Sequence, residues 1–100
     1  MSMANLQRMA AQMQRDMARV QDELAAAIVE GSAGGVVRVT ASGKQDILSI
    51  TIDPAAVDPS DVEMLQDLVL TAVNDALNAS RELAESKMAA VTGGMRLPGM

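Results

Sequence analysis

Few side chains in this sequence could do chemistry. Its 100 residues include no histidine, no cysteine and no aromatic residue. Thiolate and imidazole metal sites, histidine acid–base pairs, thiol nucleophiles and disulfide frameworks are therefore excluded by inventory. The aromatic platforms on which single-stranded nucleic acid stacks are excluded as well. Asp58, Asp61 and Glu63 form the tightest carboxylate group. A structural task accounts for all three: Asp58 as N-cap, Pro59 as the first helical residue, and acids at the positive end of a helix dipole. Gly31, Gly34 and Gly35 hint at a phosphate loop, but the segment lacks the GK[ST] ending and a β-rich run follows it. A bend between strands explains them better. A serine nucleophile would have only lysine or carboxylate as its base. Neither catalysis nor a metal or cofactor is expected.

What remains is arginine. Arg8, Arg15 and Arg19, with Asn5, Gln12 and Gln14, form a polar ridge on the opening segment if that segment is helical. The ridge reads either as the solvated exterior of a helix or as a row of phosphate contacts. The chain as a whole is acidic, with 8 basic against 13 acidic residues and a net charge of −5. That is not the bulk signature of a polyanion binder. The charge is unevenly spread, however. Over residues 1–29 the three arginines balance Asp16, Asp22 and Glu23, whereas over residues 58–91 Arg81 and Lys87 face seven carboxylates. Met9, Met13 and Met17 offer an adaptable binding face or inter-helix filling; Met13 and Met17 lie on the apolar seam and read as filling.

These side chains need elements to position them. Met3, Leu6, Ala10, Met13, Met17, Val20, Leu24 and Ala27 recur at alternating steps of three and four, with no glycine or proline between them. This is a heptad seam and predicts a helix over residues 3 to about 27. The period then changes. Residues 28–30 predict a short strand, and Val36-Val37-Arg38-Val39-Thr40-Ala41 alternates and is rich in β-branched residues. Ser42-Gly43-Lys44-Gln45 predicts a turn in which Gly43 supplies positive φ. The return strand, 47–52, puts Leu48, Ile50 and Ile52 on one face and Ser49 and Thr51 on the wet one. Asp53-Pro54 stops it. A last helix follows over about 59–91, closed by Thr92-Gly93-Gly94 and trailed by a tail, 95–100, expected to be mobile. The fold class is α+β in a single domain, 1–100: long helix, small antiparallel sheet of about three strands, long helix.

A helix of about 32 residues is ~48 Å long at 1.5 Å rise, whereas a compact chain of this size has a radius of gyration near 13 Å. The last helix must project beyond any globule the chain builds alone. It also carries two apolar stripes, one through Val62, Leu65, Val69, Ala72, Ala76, Ala79 and Leu83, the other through Leu70, Val73, Leu77, Ala84, Met88 and Val91. One stripe packs on the sheet; the second needs another surface, and an identical chain supplies it most simply. Burying Leu70, Val73 and Leu77 at ~1.5–3 kcal/mol each is a large term for a small domain. A homodimer is expected, the alternative being one broad stripe folded onto the first helix. The opening residues hold no uninterrupted apolar run, and no stretch approaches the ~18 apolar residues of a membrane span. A cytoplasmic location is expected.

Along its whole length the sequence resembles the YbaB/EbfC family of bacterial nucleoid-associated proteins. The resemblance rests on Asp16-Met17-Ala18, Val20-Gln21-Asp22-Glu23-Leu24, Val29-Glu30-Gly31, Ala33-Gly34-Gly35, Val37-Arg38-Val39-Thr40 and Ile50-Thr51-Ile52-Asp53-Pro54. It continues through residues 57–68, Asn74-Asp75-Ala76, Thr92-Gly93-Gly94-Met95 and Leu97-Pro98-Gly99. It implies a tweezers-shaped homodimer that binds double-stranded DNA through protruding helices, alters its conformation, and sits on the nucleoid in the cytoplasm. On that reading Arg8, Arg15 and Arg19 contact phosphates with help from Gln12 and Asn5, while Lys87, Arg96 and Lys44 are further candidates. Leu70, Val73 and Leu77 hold the dimer together. No membrane or small-molecule substrate is implied. The competing expectation is a helical protein–protein module with no DNA contact of its own.

Overall fold

The computed structural model describes residues 2–92. Its elements are α1 (Met3–Ala26), β1 (Ile28–Ala33), β2 (Val37–Ser42), β3 (Ile47–Ile52), a 3-10 turn (Pro54–Ala56) and α2 (Val62–Thr92). The strands form one antiparallel sheet in the order β1-β2-β3. This is the α+β order expected. The expected helix cap at Gly93-Gly94 and the tail 95–100 lie outside the described residues.

α2 seats on β1 and β2 through small residues. Ala72, Ala76 and Ser80 are its fully buried positions, one per turn. Opposite them, a Cβ on Gly31 would lie 2.2 Å from the Ala76 amide nitrogen and 2.5 Å from the Ala72 carbonyl oxygen. Gly31 thus belongs to β1 rather than to the bend, and its missing side chain lets helix and strand backbones meet. The bend itself falls to Gly34 and Gly35, at φ 58° and 69°, in a turn closed by the Val36 N–H and the Ala33 carbonyl. Ala33, Val37, Val39, Ala41, Ala72 and Ala76 form the core, flanked by Leu68, Val69 and Val73 of α2. Ser80 is polar yet wholly buried. Its hydroxyl donates to the Ser42 carbonyl at 2.8 Å and accepts from the Gln45 N–H at 3.0 Å, so both its capacities are used.

Several local expectations are corrected. In the β2–β3 turn the left-handed residue is Gln45, at φ 66°, rather than Gly43. Gly43 is required for space instead, because a Cβ there would sit 2.7 Å from the Leu24 carbonyl oxygen. α2 begins at Val62, three residues later than expected, and its cap is Asp61, whose carboxylate accepts from the Met64 N–H at 3.2 Å. Asp58 is occupied one turn earlier. It accepts from the Ser60 N–H at 2.9 Å and the Ser60 hydroxyl at 2.7 Å, and these bonds hold its carboxyl below the usual range. In β3, Thr40 pairs with Ser49 but Ala41 pairs with Ile47, so Leu48 is the extra residue of a bulge. The regular Leu48-Ile50-Ile52 face is therefore broken. α2 does not reach this edge strand, and Ile47, Leu48 and Ile50 are all exposed.

The molecule measures 70 × 29 × 16 Å with a radius of gyration of 19.6 Å. It is longer than either helix, since 24 and 31 residues give ~36 and ~46 Å. The stagger follows from the chain path. Glu23 of α1 meets Lys87 of α2 at 3.0 Å, while Gly31, eight residues on, meets Ala72 and Ala76. α1 therefore runs antiparallel to α2 and its first half continues past Thr92. Only Val20 and Leu24 of the heptad seam are buried; Met13 and Met17 are half-buried, and Met3 and Leu6 are 74% and 48% exposed, as is Met9 beside the seam at 54%. The seam has the expected period, but its outer half is an uncovered arm. No helix among the described residues is long and apolar enough to cross a membrane.

Candidate nucleic-acid interface

α1 is a continuous helix whose N-cap, Ser2, accepts from the Asn5 N–H at 3.2 Å. Asn5, Arg8, Gln12, Arg15 and Arg19 stand exposed along it, on the side away from the seam. Their electrostatic surroundings divide them. Among the described residues, neither Arg8 nor Arg15 has a carboxylate within ion-pairing distance. The Arg15 guanidinium donates to the Gln12 side-chain oxygen at 2.8 Å, and the Gln12 amide donates to Asp16 at 3.0 Å. Gln12 thus bridges one arginine and one carboxylate.

Arg19 is placed otherwise. It lies 3.2 Å from Asp16 on one side and 3.5 Å from Glu23 on the other. Glu23 also receives Lys87 across the α1–α2 contact. Each such surface pair contributes only about 0–1 kcal/mol. Their weight lies in compensation: a phosphate approaching Arg19 or Lys87 also meets carboxylates. Residues 1–15 contain two arginines and no carboxylate, and all 13 acidic residues follow from Asp16 onward. The arm that stands clear of α2 is thus the positive end of an acidic molecule.

Of the remaining candidates, Lys44 is exposed in the β2–β3 turn, beside the C-terminal end of α1 and away from the arm. Arg96 lies outside the described residues. Sequence reasoning passed over Arg38, which is exposed on the outer face of the sheet, paired in register with Ser32 and Thr51. Its signal was the outward position in Val37-Arg38-Val39. Arg81, also overlooked, hydrogen-bonds Asn78 on α2.

The apolar residues assigned to self-association divide similarly. Leu70 is 60% exposed, and with Leu65, Val69 and Val73 it lines a shallow groove on α2; Leu77 is half-buried. Ile50, opposite Val39, and Ile47, opposite Ala41, extend the sheet's core-side face beyond the cover of α2.

Comparison with known proteins agrees with this architecture. The crystal structure of an uncharacterized protein from Helicobacter pylori shares the fold, with a TM-score of 0.72 at 21% identity over 95% of this chain and 97% of that one. A nucleoid-associated protein of Moorella thermoacetica is 56% identical over 99% of both chains. Another from Chloroflexus aurantiacus is 54% identical over 96% of this chain and 97% of its own. The family model described as the YbaB/EbfC DNA-binding family matches residues 1–95. The chain therefore belongs to the YbaB/EbfC DNA-binding family.

Proposed function

We propose that this protein binds double-stranded DNA as a homodimer and alters its conformation, with each copy presenting its α1 arm to the phosphates. The supporting observation is the isolation of positive charge on the arm: Arg8 and Arg15 without ion pairs among the described residues, and no acidic side chain before Asp16. Arg8 and Arg15 act as phosphate clamps with Gln12 and Asn5 assisting, whereas Arg19 and Lys87 add little net charge. Such contacts position the duplex without reading it. The acidic α2 faces away from the DNA. A moderate bend, costing on the order of 1–6 kcal/mol, is offset by contacts from the second arm.

Self-association uses the groove at Leu70 and Val73, together with Leu77 one turn further along α2. A two-fold axis would bring this patch onto itself, which is how one surface serves both copies. The setting is the nucleoid, within the cytoplasm, in DNA organisation, gene regulation or protection. The family is a DNA-binding rather than an enzyme family. A gel-shift titration on duplex DNA at low and physiological salt tests the proposal. Retardation that weakens with salt is expected; none at roughly tens of micromolar protein, within the usual non-specific range, would favour the protein-docking module instead.

A further inference from the structure

We propose that the exposed outer half of the α1 seam pairs, antiparallel, with the same stretch of a second copy of this chain. The seam keeps its period where its burial ends. Met13 is half-buried, while Ala10, Leu6 and Met3 beyond it are exposed. With Met3 and Ala10 at the a positions of a heptad, Leu6 and Met13 take the d positions. The residues flanking such a strip select its partner. Over residues 3–15 these e and g positions are Gln7, Gln14 and Met9, and none is charged. Two identical arms therefore meet without like charges across the contact. Arg8 and Arg15, at the f positions, point away from it. The occupant is protein rather than DNA, because the strip offers phosphate no donor.

Direction follows from side-chain size. In parallel pairing Leu6 would face Leu6 and Ala10 would face Ala10, leaving a gap at the alanine layer. Antiparallel pairing sets Leu6 against Ala10 in both central layers, large against small, so that the layers interdigitate. The outer layers then pair Met3 with Met13, whose unbranched side chains adapt to what space remains. This register confines the overlap to residues 3–13 of each arm, outside the buried part of the seam. A strip ~15 Å long on a helix ~10 Å across covers well under the ~800 Å² that each partner gives to a standard interface. Arm pairing is thus a weak second contact. It joins copies at high local concentration and adds to a dimer interface elsewhere rather than replacing it.

The test needs no DNA, so its failure is separable from that of the proposed function. The full chain, labelled at its methionine methyls, is studied at roughly millimolar concentration, where weak contacts fill. Met3 and Met13 stand ~15 Å apart along one helix, so a nuclear Overhauser contact between their methyls reports a second copy lying antiparallel. That contact is expected, together with a sedimentation mass above the one at micromolar concentration. Leu6→Glu, at an exposed position, should abolish the contact and the extra mass while the Val37 and Val39 methyl shifts stay unchanged. Absence of the Met3–Met13 contact in the unsubstituted protein would overturn the proposal. So would an added mass that Leu6→Glu leaves intact, since association would then lie elsewhere on the molecule.

Discussion

Replacing Arg8 by alanine should flatten the salt dependence of DNA binding, whereas replacing Arg19 should leave it nearly unchanged. If each uncompensated arginine neutralises one phosphate, Arg8 and Arg15 in two copies give four contacts and a slope of log affinity against log salt near −3.6, at about 0.9 per contact. Counting Arg19 as an equal partner would give about −5.4. Between 50 and 200 mM salt these slopes correspond to losses of roughly 150-fold and 1,800-fold, an easily measured difference. Arg8→Ala removes two contacts per dimer and should bring the slope to about −1.8. Arg19→Ala should hold it near −3.6, because Asp16 and Glu23 already balance that charge. Fluorescence anisotropy on one labelled duplex across this salt range gives all three slopes. Equal flattening by Arg8→Ala and Arg19→Ala would refute the division drawn from ion pairing. Flattening by neither would remove the arm as the binding element.

Three other perturbations probe the scaffold. Gly31→Ala should destabilise the fold by about 3 kcal/mol, the upper part of the usual overpacking range, because its Cβ would meet helix backbone that no rotamer can move. Gly35→Ala faces open space and should cost only the ~1–2 kcal/mol of a left-handed residue; urea unfolding that ranks the two equally would contradict this. Leu70→Lys should convert dimer to monomer in sedimentation at micromolar concentration while leaving the circular dichroism intact, and persistence of the dimer would exclude this patch. Ser60→Ala removes the hydroxyl bond that lowers the Asp58 pKa, so that pKa should rise toward the ordinary carboxylate value in an NMR titration. Because the folded value is the lowered one, the associated stability is present above the unfolded pKa and lost as pH falls through the folded pKa. Ser60→Ala should therefore shrink this acid-side loss, and an unchanged Asp58 titration would show that the bond is not made.

Periodicity told which faces are apolar but not what covers them. The α1 seam was fully legible from Met3 to Leu24, yet its steps are the same where Val20 is buried and where Met3 is exposed. On α2 the large residues drew attention, while the closest contact runs through Ala72, Ala76 and Ser80. The place of Ser80 in the core depends on Ser42 and Gln45, which are distant in sequence. Gly31 has its meaning only once α2 lies across β1. The bulge at Leu48 breaks the alternation without a glycine or proline to mark it. Choosing between Asp58 and Asp61 as cap turned on hydrogen bonds from Ser60 that composition does not rank. The pairing of Arg19, by contrast, was readable: Asp16 three residues before it and Glu23 four after it are the spacings at which helix neighbours meet. Arg38 was just as readable but was overlooked in a strand examined for its apolar face.

The seating of α2 on β1 governs where the molecule can yield. Main chain pressed against main chain has no rotamers to rearrange, so the joint between plate and rod cannot give gradually. Force applied at the tips by a stiff polymer is carried instead by the outer turns of α1, which lack lateral support from any described element. Compliance is thus concentrated in the outer turns of α1, while the joint between α2 and the sheet stays fixed as they flex.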